Sequence, residues 1–124
     1  MQLDWMINFL EETIEAIKDS EHTVQDVMFV GSEDGKYRVA WEEFEEIADF
    51  HYDSSYGNQI IAMDLIVYFK DHSWLERFEY DGAEYWEIVE SKNFSEDDKY
   101  KSFTKLKGAY DTLDGLNDRE ERWV

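Results

Sequence analysis

Residues 74–90 read WLERFEYDGAEYWEIVE. Asp81-Gly82 is a two-residue turn signal set between two runs of alternating β-formers. No other stretch restricts the chain so tightly, because a two-residue turn sets the register of everything it joins. Tyr80 pairs with Ala83, Glu79 with Glu84, Phe78 with Tyr85, Arg77 with Trp86 and Glu76 with Glu87. If Asp71-His72 turns as tightly, Phe69 meets Trp74, Asp64 meets Glu79 and Ile66 meets Arg77. Side chains alternate between the faces of a sheet. One face then carries a row of Asp64, Glu79 and Glu84, followed by Ile66, Arg77 and Trp86. The other carries Leu65, Phe78 and Tyr85, followed by Val67, Glu76 and Glu87.

Like charges directly opposite one another destabilise a sheet by a few tenths to about 1 kcal/mol per pair. Two Glu–Glu pairs and Asp64 therefore need a reason. Three readings compete: a solvated face offset by Arg77, an acidic strip for a basic partner, or a site for a hard cation such as Ca²⁺ or Mg²⁺. Carboxylates suit such ions, but no EF-hand spacing is present and Arg77 stands beside the row.

The remaining elements follow from periodicity. Leu3, Ile7, Leu10, Ile14 and Ile17 recur at helical spacing over residues 3–18. "TVQDVMFVGSEDGKYRVAW" holds strands at about 24–31 and 36–41 around Asp34-Gly35. Trp41, Phe44, Ile47 and Ala48 give a short amphipathic helix over 41–50, with Glu42, Glu43, Glu45, Glu46 and Asp49 on its outer face. "HYDSSYGNQ" is a loop. "IIAMDLIVYF" (60–69) is a central strand, apolar on both faces except at Asp64. Ser95 and Asp98 form an acidic variant of the capping box for a helix near 95–107. The expected fold is α+β in one domain: a five-strand antiparallel meander (residues 1–91 as its core), an N-terminal helix packed on it, and the acidic helix inserted.

Charge narrows the partners. The chain of 124 residues has 31 acids and 12 bases, net −19. Residues 1–91 carry 23 acids and 5 bases, residues 92–124 carry 8 and 7, and seven acids lie between Arg38 and Lys70 with no base. Such a surface repels nucleic-acid backbones and attracts proteins with basic grooves. General solubility is the plain alternative. The lysines of "KYKSFTKLK" (99–107) are a phosphate patch, an intramolecular dock on the acidic body, or one half of a homodimer contact.

Catalytic and cofactor motifs do not emerge. The chain has no Cys, hence no disulfide and no thiolate metal site. His51, Asp53 and His72 are too sparse for a zinc motif. Ser54 and Ser55 lack a nucleophile elbow, and there is no phosphate loop. No apolar run reaches membrane-spanning length, and residues 1–20 lack a basic leader region. The expectation is a non-enzymatic cytoplasmic protein without metal or cofactor.

"FHYDSSYG", "MDLIVYF" and "WLERFEYDGAEYWE" give residues 41–90 a further content. This stretch resembles small uncharacterised proteins of bacteriophages and other mobile elements. The size and charge are similar to phage-encoded DNA mimics, such as anti-restriction and anti-CRISPR proteins. The first resemblance implies a mobile-element origin; the likeness to DNA mimics implies action inside a bacterial host cell, against a CRISPR effector or restriction enzyme. The alternatives are an immunity or antitoxin-like protein for a basic toxin, and a self-associating phage structural or regulatory protein. The partner-binding residues expected on the acidic reading are Glu42, Glu43, Glu45, Glu46, Asp49, Asp64, Glu76, Glu79, Asp81, Glu84, Glu87, Tyr85 and Trp86. Tyr56, Trp74 and Tyr80 complete its aromatic anchors.

Overall fold

The computed structural model describes residues 6–90, 94 and 98–118. The hairpin of residues 74–89 organises it. Strands β6 (Trp74–Tyr80) and β7 (Ala83–Val89) pair in the register that the Asp-Gly turn requires, from Tyr80↔Ala83 to Trp74↔Val89. Asp81 and Gly82 both adopt positive φ, 53° and 86°. That is the mirror-image turn whose twist matches the strands it joins.

β5 (Leu65–Phe69) lies on the other side of β6, one residue away from the expected register: Ile66 pairs with Glu76, Val67 with Leu75 and Tyr68 with Trp74. The loop holds three residues rather than two. The His72 N–H donates to Phe69 O, the Phe69 N–H donates to Ser73 O, and His72 takes φ 74°. This is a turn followed by a left-handed residue. A one-residue slip exchanges the faces of a strand, so Asp64 leaves the row with Glu79 and Glu84.

β2 (Val27–Ser32) pairs with β5, and β3 (Arg38–Val39) pairs with β2 on its far side. The five-stranded antiparallel sheet therefore runs β3-β2-β5-β6-β7. The α+β class stands, but the order is not sequential: β3 occupies the edge and the chain returns to place β5 beside β2. Gly31 permits the close β2–β3 approach, since a Cβ there would lie 1.8 Å from the Tyr37 carbonyl oxygen.

One face of the sheet is covered by two helices. α1 (Phe9–Asp19) is capped by Asn8, whose side chain accepts from the Glu11 N–H. It begins later than the apolar repeat predicts. Residues 3–5 lie outside the described residues, and Ile7–Asn8 form a short strand β1 paired with β4 (His51–Tyr52), within the expected loop. Phe9, Thr13 and Ile17 are its buried positions, with Leu10 and Ile14 at the flank. Phe9 stacks on Trp86 at 5.8 Å and meets Phe44 of α2 (Trp41–Ile47) edge-on at 5.9 Å. Trp86 donates its indole N–H to Thr13 Oγ1 at 3.0 Å, which explains a threonine in the core. The opposite face holds a smaller cluster of Phe29, Ile66, Tyr68 and Trp74, with Val89 and Phe94 packed against it.

The C-terminal segment is not the expected helix. Residues 98–107 run as extended chain, bridged to Tyr37 at Lys101 and to Ile61 at Lys107; residues 95–97 lie outside the described part. Phe103 and Leu106 insert into the main core. The Ala62 N–H donates to Leu106 O and the Gly108 N–H to Ile60 O. Residues 60–62 pair with this segment, so β5 starts only at Leu65. A short helix α3 (Leu113–Asn117) follows, which the sequence pattern did not signal.

Candidate interaction surface

The two Glu–Glu pairs of the hairpin meet opposite fates. Glu84 is 4% exposed on the helix-covered face. Its Oε1 accepts from Arg77 Nη2 at 3.0 Å and from the Ile61 N–H at 3.1 Å, and its Oε2 accepts from the Ile60 N–H. Glu79, its cross-strand partner, is exposed and turns to accept the Gly82 N–H at 2.7 Å. Repulsion is relieved within the chain, because one carboxylate is neutralised inside and the other is directed to the turn.

Arg77 is the centre of that internal site. Its guanidinium lies 5.2 Å from the Phe9 ring centroid and 4.8 Å from that of Trp86. Nη1 reaches Glu12 at 3.3 Å, and Nη2 donates to the Tyr52 hydroxyl, which itself donates to Glu12. Burial disfavours the cation, but Tyr52, Glu12 and Glu84 outweigh it and hold Arg77 protonated. Burial also pushes the Tyr52 hydroxyl far above its ordinary range. Glu84 and Trp86 are thus parts of the fold, not of an exposed binding strip. Asp64 is withdrawn too. It is half-buried, accepts the Leu113 N–H at the start of α3, and burial raises its pKa.

The second pair, Glu76 and Glu87, stands on the other face. Glu87 is exposed; Glu76 is half-buried and accepts the Trp74 indole N–H at 3.0 Å. Next to them Phe78 and Tyr85 stack at 6.3 Å and are 37% and 39% exposed. Tyr80 is largely exposed at the tip beside Asp81. Tyr56 is exposed as well, and its neighbour Gly57 donates its N–H to Gly82 O. Trp74, in contrast, is buried and supplies no surface anchor.

The acids of the short helix form a different surface. Glu42, Glu43, Glu45, Glu46 and Asp49 are all exposed, the last just beyond the end of α2, where it accepts from the Asn8 side chain. α2 packs on the face that holds Phe9 and Trp86, whereas Glu76, Glu87, Phe78 and Tyr85 point away from it. The expected single face joining α2 to Glu76 and Glu87 is therefore two faces on opposite sides of the sheet.

Both arginines of residues 6–90 are internal. Arg38 lies within 4.6 Å of the Phe29 ring centroid and 5.0 Å of that of Tyr100, and Arg77 is enclosed as described. Lys18, Lys36 and Lys70 are the exposed bases of that stretch.

Sequence reasoning missed one polar cluster. His22 stacks on Phe69 at 3.9 Å, and its Nε2 lies 2.8 Å from Asp71 Oδ2 and 3.3 Å from Ser73 Oγ. Activation of a serine needs the carboxylate on the imidazole nitrogen opposite the hydroxyl. Here both share Nε2, Nδ1 faces Ser20, and the Ser73 hydroxyl donates to Asp71. The cluster instead ties the β5–β6 loop to the end of α1. Hydrogen bonds from Ser73 and His22 hold the Asp71 pKa down to about 2. His51, Asp53 and His72 do not converge into a metal site: among the described residues no group of three or more potential ligands is suited to a metal ion. No described helix is long and apolar enough to cross a membrane. Comparison with family models, curated proteins and solved structures finds no match.

Proposed function

We propose that the chain is a non-enzymatic acidic binding protein that occupies the basic groove of a nucleic-acid-binding partner and so blocks it. The observation that carries this reading is the division of charge. Arg38 and Arg77 are drawn inside, while α2 presents Glu42, Glu43, Glu45, Glu46 and Asp49 to solvent in a stretch with no base between Arg38 and Lys70. A row of exposed carboxylates offers Lys and Arg side chains what a phosphate backbone offers them. The exposed rings of Phe78, Tyr80 and Tyr85 form a second, aromatic-acidic face, and tyrosine is a frequent anchor in interfaces.

The likeness in size and charge to phage-encoded DNA mimics supports a host defence protein, a CRISPR effector or restriction enzyme, as the partner. Capture from bacterial lysate with elution by rising salt tests the reading. The expected product is a nucleic-acid-binding protein that releases at moderate salt and loses its nucleic acid when this chain is added. A captured protein that keeps its nucleic acid in the complex would contradict it. A captured toxin would point to the immunity alternative.

A further inference from the structure

Among the described residues β7 ends the sheet, and no strand lies beyond it. Pairing in an antiparallel ladder alternates. With Tyr80 and Ala83 closing the turn, Tyr85, Glu87 and Val89 direct their backbone groups to β6. Glu84, Trp86 and Ile88 direct theirs outward. The Glu84 N–H fits this phase, since it donates to Ser54 O at 2.8 Å. Among the described residues, no backbone group bonds to the outward edge at Trp86 and Ile88. Proteins commonly blunt such an edge with charged side chains, Pro, a bulge or a covering loop. In β7 the inward carboxylate of Glu84 and the loop at Ser54 guard only the end near the turn; beyond it there is no Lys, Pro or bulge, and Ile88 is 46% exposed.

Charge states what this edge accepts. Beside it runs a groove of about 660 Å³, lined by Glu11, Glu12, Glu15, Asp19, His51 and Trp86. Glu12 is engaged with Arg77 and Tyr52, but Glu11, Glu15 and Asp19 are exposed. Glu87 and Glu90 are exposed at the strand itself. A strand added to β7 would alternate its side chains between this groove and the side of Tyr85 and Glu87. Two copies of this chain joined edge to edge would set Glu87 and the acids of α1 against their own kind, so self-pairing is opposed.

We propose that the β7 edge takes up an extended, lysine- or arginine-rich segment of a partner protein as a sixth strand. In this mode main-chain hydrogen bonds supply affinity and alternate side chains supply specificity. The proposal rests on the reading of the chain as a binder of basic partners. It adds a third surface, separate from α2 and from the face of Phe78 and Tyr85.

The test titrates the full chain with an end-blocked peptide of alternating Lys and Val, about eight residues long. Calorimetry and amide exchange are the readouts. Saturable binding is expected, with exchange at the Trp86 and Ile88 amides slowed roughly tenfold or more. N-methylation of the peptide amides on one edge should weaken binding at least about tenfold at unchanged charge. Ile88→Pro should do the same, since it removes an outward N–H and spares the ladder to β6. If this variant does not fold, the N-methylated peptide decides alone. Equal binding by that peptide, or by folded Ile88→Pro, would overturn the edge proposal and leave a purely electrostatic binder. No peptide binding at all would overturn it too, while capture of a nucleic-acid-binding protein through α2 would still stand. Protection of Trp86 and Ile88 by dimer formation without peptide would overturn it in favour of a second copy.

Discussion

Glu84 and Glu87 lie three residues apart on one strand, and each faces another glutamate across the hairpin. They differ in every other respect. Glu84 is enclosed by Arg77 and two backbone amides, whereas Glu87 stands in solvent beside Tyr85. A cross-strand pair of like charges therefore has no fixed meaning. On the covered face it marks a carboxylate that the fold uses, and on the open face it marks charge that the fold leaves unpaired.

The same substitution at the two positions should separate these roles most sharply. Glu84→Lys would set a second cation against buried Arg77 and strip two amides of their acceptor. Its cost should exceed the roughly 3–5 kcal/mol of breaking a buried pair, and urea denaturation should show little or no folded protein. Arg77→Met comes next, at about 3–5 kcal/mol, because it leaves Glu84 and Glu12 uncompensated. Glu84→Gln should cost less in the Arg77→Met background than in the parent, with a coupling on the order of 0.5–3 kcal/mol in a double-mutant cycle. Additive effects would mean that the two side chains do not act as a pair.

A smaller effect belongs to the β5–β6 loop. Asp71 has its folded pKa lowered to about 2, against about 3.9 for an unfolded chain. Its contribution is fully present above about pH 4 and is lost as pH falls from there through about 2. Melting temperatures of Asp71→Asn and the parent should converge over that window. A difference that stays constant would show that the carboxylate charge is not what binds the loop. The smallest effect is expected on the open face. Glu87→Lys should raise stability by a few tenths to about 1 kcal/mol, by turning its pairing with Glu76 attractive.

The hairpin was legible because Asp-Gly is a turn with one common geometry, and both residues accept positive φ. The neighbouring register was not, because nothing in Lys70-Asp71-His72-Ser73 advertises a histidine at φ 74°. That single residue moved Asp64 out of the acidic row and changed which side chains share a face. The main apolar runs gave the elements of the body, but not the order of the sheet, since β2 is apolar on both faces and pairs through its backbone with two neighbours. The extended segment at 98–107 escaped for a related reason. Phe103 and Leu106 fit a helical spacing, yet the segment is held extended by backbone bonds of Lys101 and Leu106 to residues far away in the chain. For the site, exposure was the missing quantity. Sequence identified the acids, but only packing divides Glu84, Trp86 and Asp64 from Glu87, Tyr85 and the α2 row.

In the proposed function the exposed carboxylates, those of α2 above all, bind a basic partner while the enclosed ones hold the fold. The salt dependence of affinity for the captured partner tests it, measured for the parent and for a variant with Glu42, Glu43, Glu45 and Glu46 all changed to Gln. Affinity should fall steeply with salt for the parent, and the slope should flatten in the variant at unchanged melting temperature. An affinity indifferent to salt, or equal slopes in the two proteins, would contradict it.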